Sequence, residues 1–423
     1  MALRQAPPAL NPAEALVAAQ TDAKSWKTYP CTLVTPMYGG GVKAGVVDEA
    51  MPIRASAIRG QLRFWWRLLA IHRDGMSPQA AREREFAVWG GLGTPPTASR
   101  VWVQVHMTTP LPVKAEPWAA FEPSPRGGWN TLPTPQEWAK GADYALFPGQ
   151  GKKPGLRDSA DPASLLRPGV QWSLKLAVSS PTGDAGKLAD LAQEEKRVHD
   201  ALRWWACFGG VGARTRRGLG AVKVDGLEPV TASEVKACGC SLTLASTGGN
   251  DASQSWVWGI SRLKDFRQGK NLGRNPGAGN RPGRSRWPEP DAIRRYTGCN
   301  SSLHAPEHKA GNLFPRAAFG LPIIFHFKDE REGDPSDFSL NPVHKERMAS
   351  PLILRPYLQN GKWFPAALLL PTDHLNSLCL TLPDRSVTGP GAWWQPAKAA
   401  LVPPMVSRGT DALSAFLKYF QGK

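Results

Sequence analysis

The chain has 423 residues, of which 41% are hydrophobic, and it carries 52 Lys and Arg against 35 Asp and Glu, for a net charge of +17. This length allows two or three domains with sizeable cores, and the positive surplus predicts an acidic partner such as nucleic acid. The sequence has no run long enough for a transmembrane helix and no signal-peptide pattern near Met1, so we expect a soluble, cytoplasmic protein without membrane contact.

The N-terminal region is predicted to be an arm followed by a strand. Residues 1–27 are rich in Pro and Ala, which is typical of an arm without a core of its own. The pattern over residues 31–38 predicts a strand, and Gly39-Gly40-Gly41 and Lys43 follow it. Such glycines let backbone N–H groups approach a ligand, although a flexible loop is the commoner meaning of the pattern.

Residues 53–67 predict an amphipathic helix with two distinct faces. Apolar side chains recur at helical spacing and should face the core: Ile58, Leu62, Trp65 and Leu69. Arginines recur at the same spacing about a third of a turn away: Arg59, Arg63 and Arg67. Because like charges at this spacing repel each other, the basic face either is well hydrated or holds an anion such as a phosphate backbone.

Three further elements precede a glycine-rich turn. Alternating apolar residues predict strands over 100–107 and 170–178, and a helical pattern runs from 187 to 208. Between the two strands, residues 110–168 have no sustained period and are predicted to be a long insertion. With a short strand after the turn, residues 28–226 give the order β-α-β-β-α-β, which is that of a ferredoxin-like or RRM-like domain.

The turn, residues 209–220, has five glycines and three arginines among its twelve residues. Glycine frees the backbone to approach phosphates, and Arg214, Arg216 and Arg217 supply the opposite charge. We therefore interpret this segment as an RNA-contacting loop in preference to a plain connector.

The second half of the chain is less regular. A second αβ domain of the same type is expected, with a final amphipathic helix. Residues 269–287 are rich in Gly, Asn, Pro and Arg, and they are predicted to be a mobile basic loop that either links elements or closes over a single RNA strand. The predicted elements are strands at 241–245, 255–260, 321–327, 351–358 and 363–370 and helices at 293–296 and 410–420.

Cysteines and histidines give no sign of metal or acid–base chemistry. The six cysteines are too few and too scattered for a disulfide framework, so we expect free thiols. Cys299, His304 and His308 form an incomplete C-x4-H-x3-H set, and we expect no metal and no cofactor. The candidate general bases His72 and His199 have no partner carboxylate evident from the sequence, so we expect no catalytic residues.

Three stretches together resemble one known family. They are residues 35–41 (TPMYGGG), 53–67 (IRASAIRGQLRFWWR) and 208–220 (FGGVGARTRRGLG). The chain resembles the RAMP superfamily of CRISPR-associated proteins and, within it, the first subunits of type III-B (Cmr) RNA-guided effector complexes. Residues 314–322 and 350–356 fit the second half of the same family, so the resemblance spans most of the chain.

The resemblance implies an α+β chain with two ferredoxin-like domains in tandem, residues 28–235 and 236–423, after the arm 1–27. It implies a non-catalytic ribonucleoprotein subunit that caps a Cmr complex near the 3′ region of the CRISPR RNA and helps to capture target RNA. The other Cmr subunits would be its protein partners. The RNA-binding candidates are Lys43, Arg54, Arg59, Arg63, Arg67, Gly210, Gly212, Arg214, Arg216 and Arg217.

Two alternative functions stay open at this point. Related RAMP proteins include metal-free CRISPR RNA processing endoribonucleases, and such an enzyme would cleave repeat RNA in the presence of a chelator. The chain could instead be a protein–protein adaptor that docks its aromatic surface, drawn from 17 Trp residues, onto neighbouring subunits without RNA contact.

Overall fold

The computed structural model describes residues 25–94, 96–179, 186–277, 283–327, 329–383 and 385–422. Almost all of the predicted N-terminal arm lies outside these ranges. Helices and strands are mixed along the described chain, which confirms the predicted α+β class.

The strands and helices are numbered here in chain order. The strands are β1 Lys27–Leu33, β2 Met37–Tyr38, β3 Val101–Met107, β4 Ala115–Pro117, β5 Ala119–Ala120, β6 Thr134–Pro135, β7 Ser164–Leu166, β8 Gln171–Val178, β9 Val222–Val224, β10 Ser241–Leu244, β11 Ile323–Phe325, β12 Phe338–Pro342, β13 Leu352–Gln359, β14 Lys362–Leu369, β15 Leu380–Leu382 and β16 Arg385–Ser386. The α-helices are α1 Ala55–His72, α2 Pro78–Trp89, α3 Asp143–Leu146, α4 Gly186–Phe208, α5 Ala232–Ala237, α6 Ala252–Gln268, α7 Glu289–Thr297 and α8 Ala412–Phe420.

The first sheet contains four strands in the order β3-β8-β1-β9, and all its neighbouring strands are antiparallel. Helix α1 follows β1 and helix α4 follows β8, so the predicted order β-α-β-β-α-β is present in the structure. The two helices pack against each other, with the rings of Trp65 and Trp204 5.8 Å apart. The apolar stripe of α1 is fully buried, as its spacing predicted: Ile58, Leu62, Trp65 and Leu69.

The second half contains a three-stranded antiparallel sheet in the order β10-β14-β13. Helix α6 packs on β13 and β14, and α8 packs on α6. Within the described residues this sheet has no fourth strand, so the complete second β-α-β-β-α-β unit that we expected is not observed.

One predicted strand of the second half, residues 255–260, is instead part of helix α6. The carboxylate of Asp251 caps this helix by accepting hydrogen bonds from the backbone N–H groups of Ser253 and Gln254. Trp256 and Ile260 are buried four residues apart, which is helical spacing. The short window 255–260 shows only the apolar character of the segment, and the cap before it decides that it is helical.

The insertion between β3 and β8 packs against the second half of the chain. Trp118 and Leu146 are buried in the same hydrophobic core as Trp256 of α6. The carboxylate of Asp143 lies 2.8 Å from the Lys264 ammonium, which joins α3 to α6. The insertion and the second half also line a common cleft.

The hydrophobic core of the first half also continues past residue 235, the boundary suggested by the sequence. Ile353 and Tyr357 of β13 belong to the core that holds α1 and α4. The ring of Tyr357 stacks on that of Phe208 at 5.9 Å, immediately before the glycine-rich turn. Strand β13 of the second half thus supports the end of α4.

Candidate nucleic-acid interface

The glycine-rich turn after α4 is packed tightly against the chain itself. Gly212 has a φ of +76°, and a Cβ at this position would lie 2.7 Å from Met37 Cγ and 2.7 Å from the Tyr38 carbonyl oxygen. A Cβ on Gly210 would lie 2.7 Å from the carbonyl oxygen of Gly220. The N–H of Ala213 donates a hydrogen bond of 2.7 Å to Tyr38. Glycine is needed at these two positions because a side chain there would collide with neighbouring atoms of the chain.

The three arginines of this turn carry positive charge without a carboxylate partner among the described residues. Arg214 is half-buried with a left-handed backbone, and its Nε is buried without a hydrogen-bond acceptor. Arg216 donates to the carbonyl of Ser350, and its guanidinium lies 5.7 Å from the centre of the Phe64 ring. Arg217 donates to the carbonyls of Leu352 at 3.0 Å and of Phe319 at 3.2 Å. Burial, together with the charge of neighbouring arginines, lowers the pKa of Arg217 to about 9.

Arg54, just before α1, is brought next to the turn. Its guanidinium donates to the carbonyl of Gly40 and, at 3.1 Å, to that of Gly41. A Cβ on Gly40 would lie 3.4 Å from the Cα of Gly212, so the two glycine segments are in contact. Lys43 lies on the exposed part of the first glycine segment. The structure therefore places Arg54 and the glycine-rich turn together, as expected of a shared basic surface.

The basic face of α1 is arranged differently from our expectation. Arg59 donates a hydrogen bond of 2.5 Å to the carbonyl of Trp89. Arg63 and Arg67 both bind the buried carboxylate of Glu85 on α2, at 2.7 Å and 2.6 Å. Burial alone would raise the pKa of Glu85, but the hydrogen bonds from Arg67 and Arg63 outweigh it and lower that pKa.

The described chain therefore supplies a counter-ion for Arg63 and Arg67, which the sequence pattern of α1 did not indicate. Arg63 and Arg67 remain 32% and 48% exposed, so both can still reach a ligand. The prediction missed helix α2 as a whole. Its signal was Ser77, which caps the helix by accepting from the Ala80 N–H, followed by Pro78 in the first turn.

A cleft of about 1560 Å³ lies between the insertion, the glycine-rich turn, the end of α6 and the segment around β11. Its walls hold three carboxylates, Asp143, Asp329 and Asp334. Arg267 and Arg316 also line it, and neither was singled out from the sequence as an RNA-binding candidate. The arginines that line the cleft are Arg214, Arg217, Arg267, Arg274, Arg284, Arg294, Arg316 and Arg347.

One group at the edge of this cleft could in principle hold a metal ion. His304, Asp329 and Asp334 each offer a ligand atom within 4.8 Å of the others, and this is the sole such group among the described ranges. The guanidinium of Arg294 already binds Asp334 through two hydrogen bonds of 3.0 and 2.9 Å, and its positive charge disfavours a dication. Cys299 and His308, the other members of the incomplete zinc pattern, are not part of the group.

The histidines considered as general bases lie outside the cleft. His72 is exposed at the end of α1, and burial lowers the pKa of His199 on α4. His304 does line the cleft, and its Nδ1 lies 3.0 Å from Ser301 Oγ and 3.3 Å from a carboxylate oxygen of Asp334.

In the described chain, no helix is both long enough and apolar enough for a membrane crossing.

Residues 30–223 match the family model described as the RAMP superfamily, which agrees with the resemblance seen in the motifs of the sequence. Among solved structures, the chain is similar to Cmr1 from Pyrococcus furiosus in its apo form, at 16% identity over 82% of this chain and 88% of that chain, with a TM-score of 0.35.

It is also similar to a chain of the type III-B Cmr-beta complex bound to cognate target RNA, at 9% identity over 90% of this chain and 98% of that chain, with a TM-score of 0.43. The same complex with target RNA, AMPPnP and single-stranded DNA gives 9% identity over 94% and 99%, with a TM-score of 0.44. No curated protein matches the sequence.

Proposed function

We propose that this chain is a non-catalytic, RNA-binding subunit of a type III-B Cmr effector complex in the cytoplasm. The observation that carries the proposal is the glycine-rich turn, which holds Arg214, Arg216 and Arg217 without a carboxylate partner among the described residues. Phosphates are the ligands that such a set of guanidinium groups binds best. The RAMP superfamily match over residues 30–223 and the motifs of the sequence support the same function.

Within this proposal, the chain comprises two ferredoxin-like units after an N-terminal arm. The four-stranded sheet with α1 and α4 has the strand order of such a unit. The order β10-β14-β13 with α6 and α8 is that of a unit lacking its last strand. The proposed division between residues 235 and 236 separates the two units along the sequence. It does not separate their hydrophobic cores, because one core contains residues from both sides of it.

The proposed role is to cap the complex near the 3′ region of the CRISPR RNA and to help capture target RNA. The residues of the basic surface contribute unequally. Among the described residues, Arg54 and Arg216 have only carbonyl or ring partners and no ion pair is found for Arg214, so a phosphate would be the first anionic partner of each. Arg63 and Arg67 share Glu85 and should contribute less. Lys43 and Arg59, together with Gly210 and Gly212 as shapers of the turn, complete the proposed interface.

A salt titration tests RNA binding by the full chain. Binding of a labelled single-stranded RNA should weaken with salt, with log affinity falling by about 0.7 per phosphate contact for each unit of log salt. An affinity for RNA that is absent, or independent of salt, contradicts the proposal. Salt-resistant binding to Cmr subunits in the same sample would then support the adaptor function.

The endoribonuclease alternative is favoured by one observation, the contact of His304 with Ser301 and Asp334 inside the arginine-lined cleft. A histidine held by a carboxylate is a suitable general base for attack by a 2′-hydroxyl. Incubation with repeat RNA in the presence of a chelator tests this function. Cleavage that is lost in His304→Ala would establish an enzyme and overturn the non-catalytic role.

A further inference from the structure

Five arginines of the cleft form a cluster, and the described chain gives a carboxylate partner to only one of them. Arg267 on α6 lies close to Arg217 and Arg316. Burial lowers the pKa of both side chains, and the positive charge of Arg267 lowers each pKa further. Arg274 acts on Arg316 in the same way. Arg316 has a carboxylate partner, Glu289, at 3.1 Å. Ion pairs are found for none of the remaining cluster members: Arg214, Arg217, Arg267 and Arg274.

Several arginines outside this cluster have carboxylate partners. Arg84 binds Glu194 at 2.8 Å, and Arg294 binds Asp334 at 2.9 Å. Positive groups packed together in a partly buried site repel one another, and this repulsion is relieved when an anion binds between them. At this cluster only Arg316 has such a partner among the described residues, so an anion bound between the arginines would relieve their repulsion.

The cluster also has hydrogen-bond donors to spare. Nε of Arg214, Nε of Arg267 and Nη2 of Arg316 are each buried without an acceptor. All three residues line the cleft. A buried donor without an acceptor is costly, so the hydrogen-bonding capacity of these three guanidinium groups is only partly used within the described chain.

Aromatic and apolar side chains also line the cleft. Tyr144 and Phe147 of the insertion line it, and Phe147 is 52% exposed. Ile324 on β11 faces the same cleft and is 55% exposed. Exposed rings beside arginines are the arrangement on which unpaired bases stack while their phosphates contact the charges.

We propose that this cleft holds a segment of single-stranded RNA, with phosphates on Arg267, Arg274 and Arg214 and bases against Tyr144 and Phe147. The inference rests on the proposed RNA-binding function, and it assigns the insertion a direct role in that function. A duplex does not fit this arrangement, because its bases are stacked inside and cannot reach the exposed rings.

The test compares variants of the full chain for binding to a labelled oligouridine of roughly ten nucleotides, within the range of single-strand site sizes. Arg267→Gln combined with Arg274→Gln should lower the affinity about tenfold and reduce the salt slope by about 0.7 for each lost phosphate contact. Arg262→Gln is the matched control, because Arg262 lies on the same helix but contacts Tyr419 outside the cleft. It should bind like the wild type.

A second pair of variants tests whether bases contact the aromatic side chains of the cleft. Phe147→Ala should lower affinity for the oligouridine about fivefold or more, since stacked bases gain from aromatic contact. Trp129→Ala removes another exposed ring of the insertion that does not line the cleft, and it should have no effect. Thermal unfolding of each variant confirms that it is folded.

The possible outcomes separate the two proposals. If the wild type binds with a salt-dependent affinity and the cleft variants bind equally well, the cleft inference fails and the proposed function stands. If the wild type shows no salt-dependent RNA binding, the proposed function itself fails. Equal binding of duplex RNA, or equal competition by polyglutamate or inorganic phosphate at matched charge, would overturn the assignment to single-stranded RNA.

Discussion

The guanidinium of Arg67 binds both carboxylate oxygens of Glu85, through hydrogen bonds of 2.6 and 2.9 Å between α1 and α2. Glu85 is 4% exposed, and Arg63 shares its carboxylate. This pair joins two helices, and it converts a run of like charges on α1 into a partly neutral surface. It is also the contact that the sequence pattern of α1 by itself could not show.

Glu85→Gln should reduce the free energy of unfolding by about 1–2 kcal/mol, because the three charge-assisted hydrogen bonds from Arg63 and Arg67 become weaker while these arginines stay partly solvated. Urea unfolding at neutral pH measures the change. Glu83→Gln is the control, since Glu83 is exposed on the same helix and contacts only Gln79. Equal stability of the two variants would contradict a structural role for Glu85.

Gly212→Ala should destabilise the glycine-rich turn more than Gly226→Ala does. Both glycines have a φ of +76°, but a Cβ on Gly212 would meet Met37 and Tyr38, whereas nothing lies within 4 Å of one on Gly226. The backbone cost of about 1 kcal/mol is common to both, and the collision adds about 1–3 kcal/mol at Gly212 alone. Thermal unfolding and RNA affinity should both fall further for Gly212→Ala, and equal losses would argue against tight packing of the turn.

Trp65→Ala should destabilise the chain by about 3–5 kcal/mol, as truncation of a large core side chain does. Trp65 is 1% exposed and contacts Phe64, Trp204 and Phe208. Its Nε1 has no hydrogen-bond partner, so Trp65→Phe removes no hydrogen bond and should cost less. Chemical denaturation of the two variants checks the order, and a greater loss for phenylalanine would contradict it.

The free energy of unfolding at acidic pH should depend on Glu234. Burial alone would raise the pKa of Glu234, but hydrogen bonds from Arg203 and Thr231 lower it from 4.5 to about 2. A lowered carboxyl pKa stabilises the folded chain above 4.5, and this contribution is lost as the pH falls through 4.5 towards 2. The stability difference between wild type and Glu234→Gln should therefore shrink over this interval. A difference that stays constant with pH would contradict the assignment.

Strong periodic patterns were sufficient to predict the first sheet and its helices. The buried stripe of α1 and the alternation of β3 follow from the spacing of apolar residues, because periodicity reports which face of an element is covered. The segment 255–260 was too short for such a pattern to separate strand from helix. Its helical state depends on the cap at Asp251 and on burial against the sheet of the second half.

The candidate site could be predicted only in part. Arg214, Arg216 and Arg217 stand together in the sequence and attract attention as one motif. Arg267 and Arg316 are far from them in the chain and from each other, and only the tertiary fold brings them into one cleft. The pairing of Arg63 and Arg67 could not be predicted either, because their counter-ion comes from a neighbouring helix. Charge patterns within one element cannot reveal partners on another.

The loop after α4 is held by Arg355, a residue that is distant from it in the sequence. This buried side chain of β13 donates hydrogen bonds to the carbonyls of Gly209 at 2.7 Å and Val222 at 3.2 Å, one on either side of the loop. Trimming the polypeptide to its family-matched portion, residues 30–223, would remove that clamp from beneath the loop. A recombinant N-terminal fragment would consequently contain the arginines of the loop without the hydrogen bonds that hold its conformation. Failure of such a fragment to bind RNA would therefore say nothing about the intact molecule.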